Sequence, residues 1–265
     1  MVRRAAWLSF ALPLAALASD ACGGDAGAPA SGGSVLLLRA SGLATGPFTV
    51  TSGFSHGPPA PAQYTIEHLG PCQLFSRIVP TPTAPARQAD SAGVLTLQGS
   101  AGAQVILQPA ASGKYPSADF TPTTGDTVTL VASGATIPAF TLSLTLPTPV
   151  QVTSPPAAPG MPLTLDRSVD LAITHNVNAT GFFFFQIQQG ATSTAPFVSL
   201  YCAFPATDAT STVPVGALAR LNTDAAGATS TAFFGFSSGV STKAGASSVG
   251  LSVNDYFAAS KTLVP

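Results

Sequence analysis

Charge is what this chain has least of: Asp, Glu, Lys and Arg together make up 8% of its 265 residues, and the formal net charge is −1. Without a basic run there is nothing to neutralise a phosphate backbone, so nucleic acid is excluded as a partner. Helical periodicity is the second absence. Outside the neighbourhood of Pro214, no segment keeps apolar residues at three- and four-residue spacing for ten residues, which argues against an α/β fold. The three histidines, His56, His68 and His175, fall into no metal-ligand spacing. His68 and Cys72 are close, but a structural zinc site takes about four ligands. The acids stand singly, only Asp166 and Asp170 lying near one another, with no EF-hand loop. No metal and no cofactor are expected.

What the chain has is apolar material and turns. Hydrophobic residues account for 46%, with 25 glycines and 24 prolines, a balance that suits packed sheets joined by many tight connections rather than a disordered tail. Apolar residues at period two mark Val35–Leu38, Phe48–Val50, and a hairpin from Leu95–Leu97 to Val105–Leu107 across Gly99-Ser100-Ala101-Gly102. Val128, Leu130 and Ala132 continue the pattern, as do Phe140, Leu142, Leu144 and Leu146. Later sets are Val169, Leu171 and Ile173, then Phe183, Phe185 and Ile187, then Val198, Leu200, Cys202 and Phe204. The last strands fall at Thr231–Phe236 and Val249–Val253, and one short helix is expected with Ser211 or Thr212 as cap and Val215, Leu218 and Leu221 on one side. The expected fold is all-β: two tandem β-sandwiches of the immunoglobulin or fibronectin type III kind. A β-rich domain spans 35–146, a Pro-rich linker 147–162, and a second β-sandwich with the short helix 163–265.

The N-terminus reads as an address. Arg3 and Arg4 precede an apolar run, Ala5–Ala18, broken by Pro13, the form of a signal peptide over residues 1–21. The run falls short of the roughly 20 residues that span a bilayer. Ala21-Cys22-Gly23-Gly24-Asp25 and the Gly/Ala/Pro/Ser-rich residues after it resemble the acylated cysteine and tether (22–34) of bacterial lipoproteins, which implies a lipid on Cys22 and anchoring in the outer membrane. Ser19 and Asp20 depart from that family's pattern, and the rival is cleavage after Ala16-Leu17-Ala18 with release to the periplasm or medium. Ala92–Leu97, Gly125–Val128, Ile137–Phe140 and Tyr201–Phe204 resemble secreted β-sandwich lipoproteins of myxobacteria-like genomes, a likeness that implies fold and location without an activity. Export would permit Cys72 and Cys202, 130 positions apart, to pair; two separate buried thiols are the other reading.

Two stretches match the Gly-x-Ser-x-Gly nucleophile elbow, Gly53-Phe54-Ser55-His56-Gly57 and Gly235-Phe236-Ser237-Ser238-Gly239. An elbow needs a strand, a tight turn and a helix leaving it. Pro58, Pro59 and Pro61 oppose a helix after the first, and the second runs into loop or strand residues. Phe182–Phe185 places four aromatics in succession, so on a strand Phe182 and Phe184 face away from the core side and are the candidate binding aromatics. The favoured reading is a strand buried on both sides, or an outer face covered by the neighbouring domain, and an exposed binding platform is the alternative. The functional expectation is a non-catalytic cell-envelope lipoprotein of structural or adhesive role, not an enzyme. A carbohydrate- or protein-binding module is the alternative, with an envelope protein or carbohydrate as partner, and a serine hydrolase the least favoured. Mass spectrometry of the mature N-terminus is expected to find acylated Cys22; a free amino terminus at Ser19 would end the lipoprotein reading.

Overall fold

The computed structural model describes residues 30–40, 46–58, 62–77, 86–190, 197–222 and 230–264. Cys22, the expected signal peptide and most of the expected tether lie outside the described residues. The chain is all-β. Its first half runs β1 (Ala30–Arg39), β2 (Phe48–Gly57), β3 (Tyr64–Leu69), β4 (Cys72–Arg77), β5 (Gln88–Ala89), β6 (Leu95–Gly99), β7 (Gln104–Leu107), β8 (Ala118–Phe120), β9 (Thr127–Ala132) and β10 (Phe140–Thr145). There follow β11 (Val152–Ser154), β12 (Pro162–Asp166), β13 (Leu171–His175), β14 (Phe182–Gln189), β15 (Val198–Pro205) and β16 (Thr210–Val213). The helix α1 (Val215–Leu218) and two long strands, β17 (Ser230–Ala244) and β18 (Ser247–Val264), complete the described chain.

The strands form three sheets. The large one has eleven strands, ordered β3-β4-β15-β14-β17-β18-β1-β2-β5, with β12 joining β18 and β8 joining β2. The others are β10-β9-β6-β7 and β11-β13-β16. Strict alternation decides which side of each strand is buried. On β10, for instance, Phe140, Leu142 and Leu144 are buried and Thr141, Ser143 and Thr145 exposed, and this face lies over β17 and β18. Across the large sheet beneath, the rings of Phe185, Phe234 and Phe257 follow one another at centroid distances of 5.1 and 5.5 Å. Burying each such ring contributes on the order of 1.5–3 kcal/mol. The third sheet closes on the same core by laying His175 against Phe183, centroids 3.9 Å apart.

This topology corrects the expected tandem sandwiches. β1 pairs in parallel with β18, and β4 pairs with β15, so strands from either side of residues 147–162 share one sheet. The buried apolar residues from Val35 to Ala259 form one cluster. Period two reports which face of a strand is buried, not which strand lies beside it, and so it could not separate two sheets from one. The Pro-rich stretch is ordered: β11 pairs with β13, Gly160 N donates to Ala258 O, and Pro162 opens β12 on the edge of β18. Ala30–Ser34, expected in the tether, belong to β1. The helix is shorter than expected, because Ser211 and Thr212 are strand residues of β16 and Pro214 stands at its N-cap. β17 and β18 turn on Gly245-Ala246, with Gly245 at φ 61°, a conformation that glycine adopts freely and that suits a two-residue type II′ hairpin.

One ion pair is sealed inside this core. Arg39 and Asp255 are register partners on β1 and β18, 4% and 0% exposed. Arg39 Nε donates to Asp255 Oδ1 at 2.9 Å and Nη2 to Oδ2 at 2.7 Å. The guanidinium carbon stands 4.5 Å from the centroid of Phe48, within cation–π range. A bidentate geometry offsets the cost of dehydrating both groups, but removal of either partner strands a charge in apolar surroundings. Asp255→Asn is expected to lower the unfolding free energy by about 3–5 kcal/mol in urea titration, and the double change Arg39→Met with Asp255→Leu to recover most of that loss. Equal destabilisation by single and double variants would contradict this account.

Candidate functional site

The disulfide and the register of two strands build the site. Cys72 on β4 and Cys202 on β15 are direct cross-strand partners, and their sulfurs are bonded. Both side chains are fully buried on the core side of the sheet. One position along the same ladder, Gln73 faces Tyr201, and alternation turns this pair to the opposite side. Beside them run Ala203 and the Gly70-Pro71 turn between β3 and β4, and the exposed ring of Phe182 closes the other wall. Gly70, Pro71, Gln73, Phe182, Tyr201 and Ala203 line a shallow groove of about 290 Å³.

The two candidate aromatics separate. Phe182 is 55% exposed and lines the groove, whereas Phe184 is 2% exposed, as a strand buried on both sides requires, which removes Phe184 from the candidate binding aromatics. The Phe184 ring stacks on Tyr201, centroids 5.7 Å apart, and tilts against Tyr256 at 6.4 Å. It also lies over Gly235, where a β-carbon would collide with it. Phe184 is therefore the floor that holds Tyr201 in place. Farther along the same face, Gln186 Nε2 donates to Ser199 Oγ at 2.9 Å within the protein. Burial pushes the Tyr201 phenol up to about 12 and raises that of Tyr256 as well, so both remain protonated at neutral pH.

Neither Gly-x-Ser-x-Gly stretch forms an elbow. Gly53–Gly57 continue β2, and Gly235–Gly239 lie inside β17, paired with β14 and β18 on its two sides. Ser55 Oγ accepts from Arg87 Nε at 3.0 Å. His56 directs Nδ1 to Asp90 Oδ1 at 2.8 Å and Nε2 to Gln88 Oε1 at 3.1 Å, leaving neither nitrogen for a serine. Ser237 stands opposite Phe182 in the ladder. Cys72, bonded to Cys202, is no ligand partner for His68. Asp166 accepts from the Ser168 hydroxyl and backbone N–H, which hold its carboxyl below the usual range, and Asp170 accepts from Val215 N at 2.7 Å. Among the described residues, no three His, Cys, Asp or Glu side chains come together as a metal site.

Gln73 and Tyr201 were not singled out by the sequence. The signal for Tyr201 was present: if Leu200 and Cys202 face the core, Tyr201 faces away from it. Gln73 carried none, because its place depends on the Cys72–Cys202 register. No protein-family model matches the chain, and neither a curated protein nor a solved structure matches it.

His175 has a different role. It is buried against Phe183, and neither ring nitrogen has a hydrogen-bond partner. Desolvation lowers its pKa, with the Val177 backbone and the Asp208 carboxylate opposing in part. An unfolded histidine titrates near 6.5. Below that pH the unfolded chain takes up a proton that the folded chain resists, so the stabilising term present above about 6.5 is lost as pH falls toward the lower folded-state pKa. His175→Leu is expected to flatten the decline of the melting temperature over this acidic range. A decline identical to that of the wild type would exclude His175 as its source.

Proposed function

We propose that the protein is a non-catalytic module exported to the cell envelope, held there by a lipid on Cys22, and that its role is adhesive binding through the Phe182 groove. The exposure of Phe182 beside Tyr201 carries this reading. A large aromatic ring left half in water, at the rim of a groove and on a floor of packed aromatics, is the kind of surface from which proteins recover binding energy. The floor is rigid: Phe184 fixes Tyr201 from below, and the disulfide ties β4 to β15 on the core side. Little ordering is then left to be done on binding, which favours affinity. Structural disulfides belong mainly to oxidising compartments, in keeping with the signal peptide and an envelope destination. No helix among the described residues is long and apolar enough to cross a membrane, and the lipid on Cys22 is the anchor in this reading. A serine hydrolase finds no support in the surroundings of Ser55 and Ser237.

The test uses the full chain exported with Cys22→Ser, so that no acyl group contributes to retention. Washed cell envelopes are expected to retain this protein, and Phe182→Ala is expected to reduce the retained fraction by about tenfold while leaving the thermal transition in place. Retention indifferent to Phe182, or no retention, would remove the groove from the function.

A further inference from the structure

We propose that the groove takes a pyranose ring of an uncharged polysaccharide, the ring lying on Phe182 and its hydroxyls meeting Tyr201 and Gln73. This rests on the binding-module reading above and names its ligand class. Charge is the first constraint. None of the six lining residues carries a charge at neutral pH, so the groove offers no counter-charge to a uronic acid, a phosphate or a basic peptide.

Backbone access is the second constraint. The strands beneath run β3-β4-β15-β14-β17, and β4, β15 and β14 each have ladder partners on both sides. An extended peptide bound by strand addition needs an open edge, and the groove provides none. Recognition must therefore come from side chains.

Those side chains combine an apolar face with unspent hydrogen-bonding capacity. Phe182 presents its ring to solvent. Tyr201 has a ring contact to Phe184 but no hydrogen bond to its hydroxyl among the described residues. The Gln73 carboxamide is likewise unbonded, and its Oε1 is buried without a partner. A buried carbonyl of this kind costs free energy until it is satisfied, and an amide not locked by the protein can turn to offer either end. A pyranose brings C–H groups on one face and hydroxyls around its rim that both donate and accept. It matches a flat aromatic flanked by a phenol and an amide better than a purely apolar ligand, which would leave Gln73 and Tyr201 unpaired. At about 290 Å³ the groove is at the small end of the roughly 300–1,000 Å³ of ordinary small-molecule sites, enough for one ring or two of a chain passing across it.

Titration calorimetry of the Cys22→Ser chain with neutral hexasaccharides of the cello, chito, malto and manno series tests the proposal, with a hexagalacturonate and an unstructured peptide as controls. At least one neutral series is expected to bind with a Kd of order 10⁻⁴ M, unchanged between about 0.05 and 0.5 M salt because no charge pairing is involved. Phe182→Ala is expected to weaken it about tenfold, and Tyr201→Phe, which removes one oxygen atom, about three- to tenfold, with near-UV circular dichroism preserved in both. Failure of every neutral series, indifference to Phe182, or binding of the acidic saccharide or the peptide alone would overturn the assignment to an uncharged polysaccharide. If envelope retention still depends on Phe182 after such a failure, the ligand is of another class and the binding-module reading stands. If that dependence is absent too, both fall.

Discussion

β18 is the strand on which the rest of the molecule depends. It pairs with β17 along fourteen register positions, with β1 in parallel over Gly32–Arg39, and with β12 in parallel near its C-terminal end. Each of those strands would otherwise expose a row of N–H and C=O groups that must find partners or water. Parallel pairing also requires a long connection. Between Arg39 and Asp255 that connection is nearly the whole chain, 216 positions, so the large sheet cannot be completed until the last strand is in place. The buried Arg39–Asp255 pair lies on this junction. Its geometry is satisfied only when β1 and β18 adopt the observed register, since a shift by one residue would turn Arg39 to the opposite face.

The same sheet has two unlike faces. Toward the core it carries Phe183, Phe185 and Ile187, closed by the two smaller sheets and by His175. Toward the outside, β14 carries Phe182, Phe184, Gln186 and Gln188, passing from exposed to buried within eight residues. The groove lies at the exposed end of this row. Its two walls come from distant parts of the sequence, Gln73 from β4 and Phe182 from β14, and the disulfide between Cys72 and Cys202 ties β4 to the strand that adjoins β14. A bond on the core face thus fixes the spacing of groups on the outer one. Of the inward and outward halves of a single ladder, Cys72–Cys202 is packed in the core and Gln73–Tyr201 lines the groove.

Among the polar groups left unpaired, two settings contrast. His175 faces the core, where its unbonded ring nitrogens are accommodated by keeping the imidazole neutral against Phe183. Gln73 and Tyr201 line the groove, and the covered Gln73 Oε1 meets it only when the carboxamide turns. Similar chemistry has different consequences because one site is closed by packing and the other is open. His56 occupies a third setting, with both nitrogens spent on Asp90 and Gln88 at the β2–β5 edge, which is why a serine-histidine juxtaposition in the sequence is not a catalytic one in space.

Alternation in the sequence determined the all-β class, most strand positions, and the burial of Leu142, Phe183 and Cys202, because period two is imposed by the geometry of the strand itself. It also pointed Phe182 and Phe184 away from the core side. What it left open was decided by tertiary structure: whether Cys72 meets Cys202, which of the two outward phenylalanines is covered, and whether the strands before and after residues 147–162 make two sheets or share one. Those outcomes depend on which strands lie side by side. Register between segments 130 or 216 positions apart is set by the fit of the whole core, with Gly235 making room for Phe184 and Asp255 answering Arg39, and no local pattern of residues carries that information.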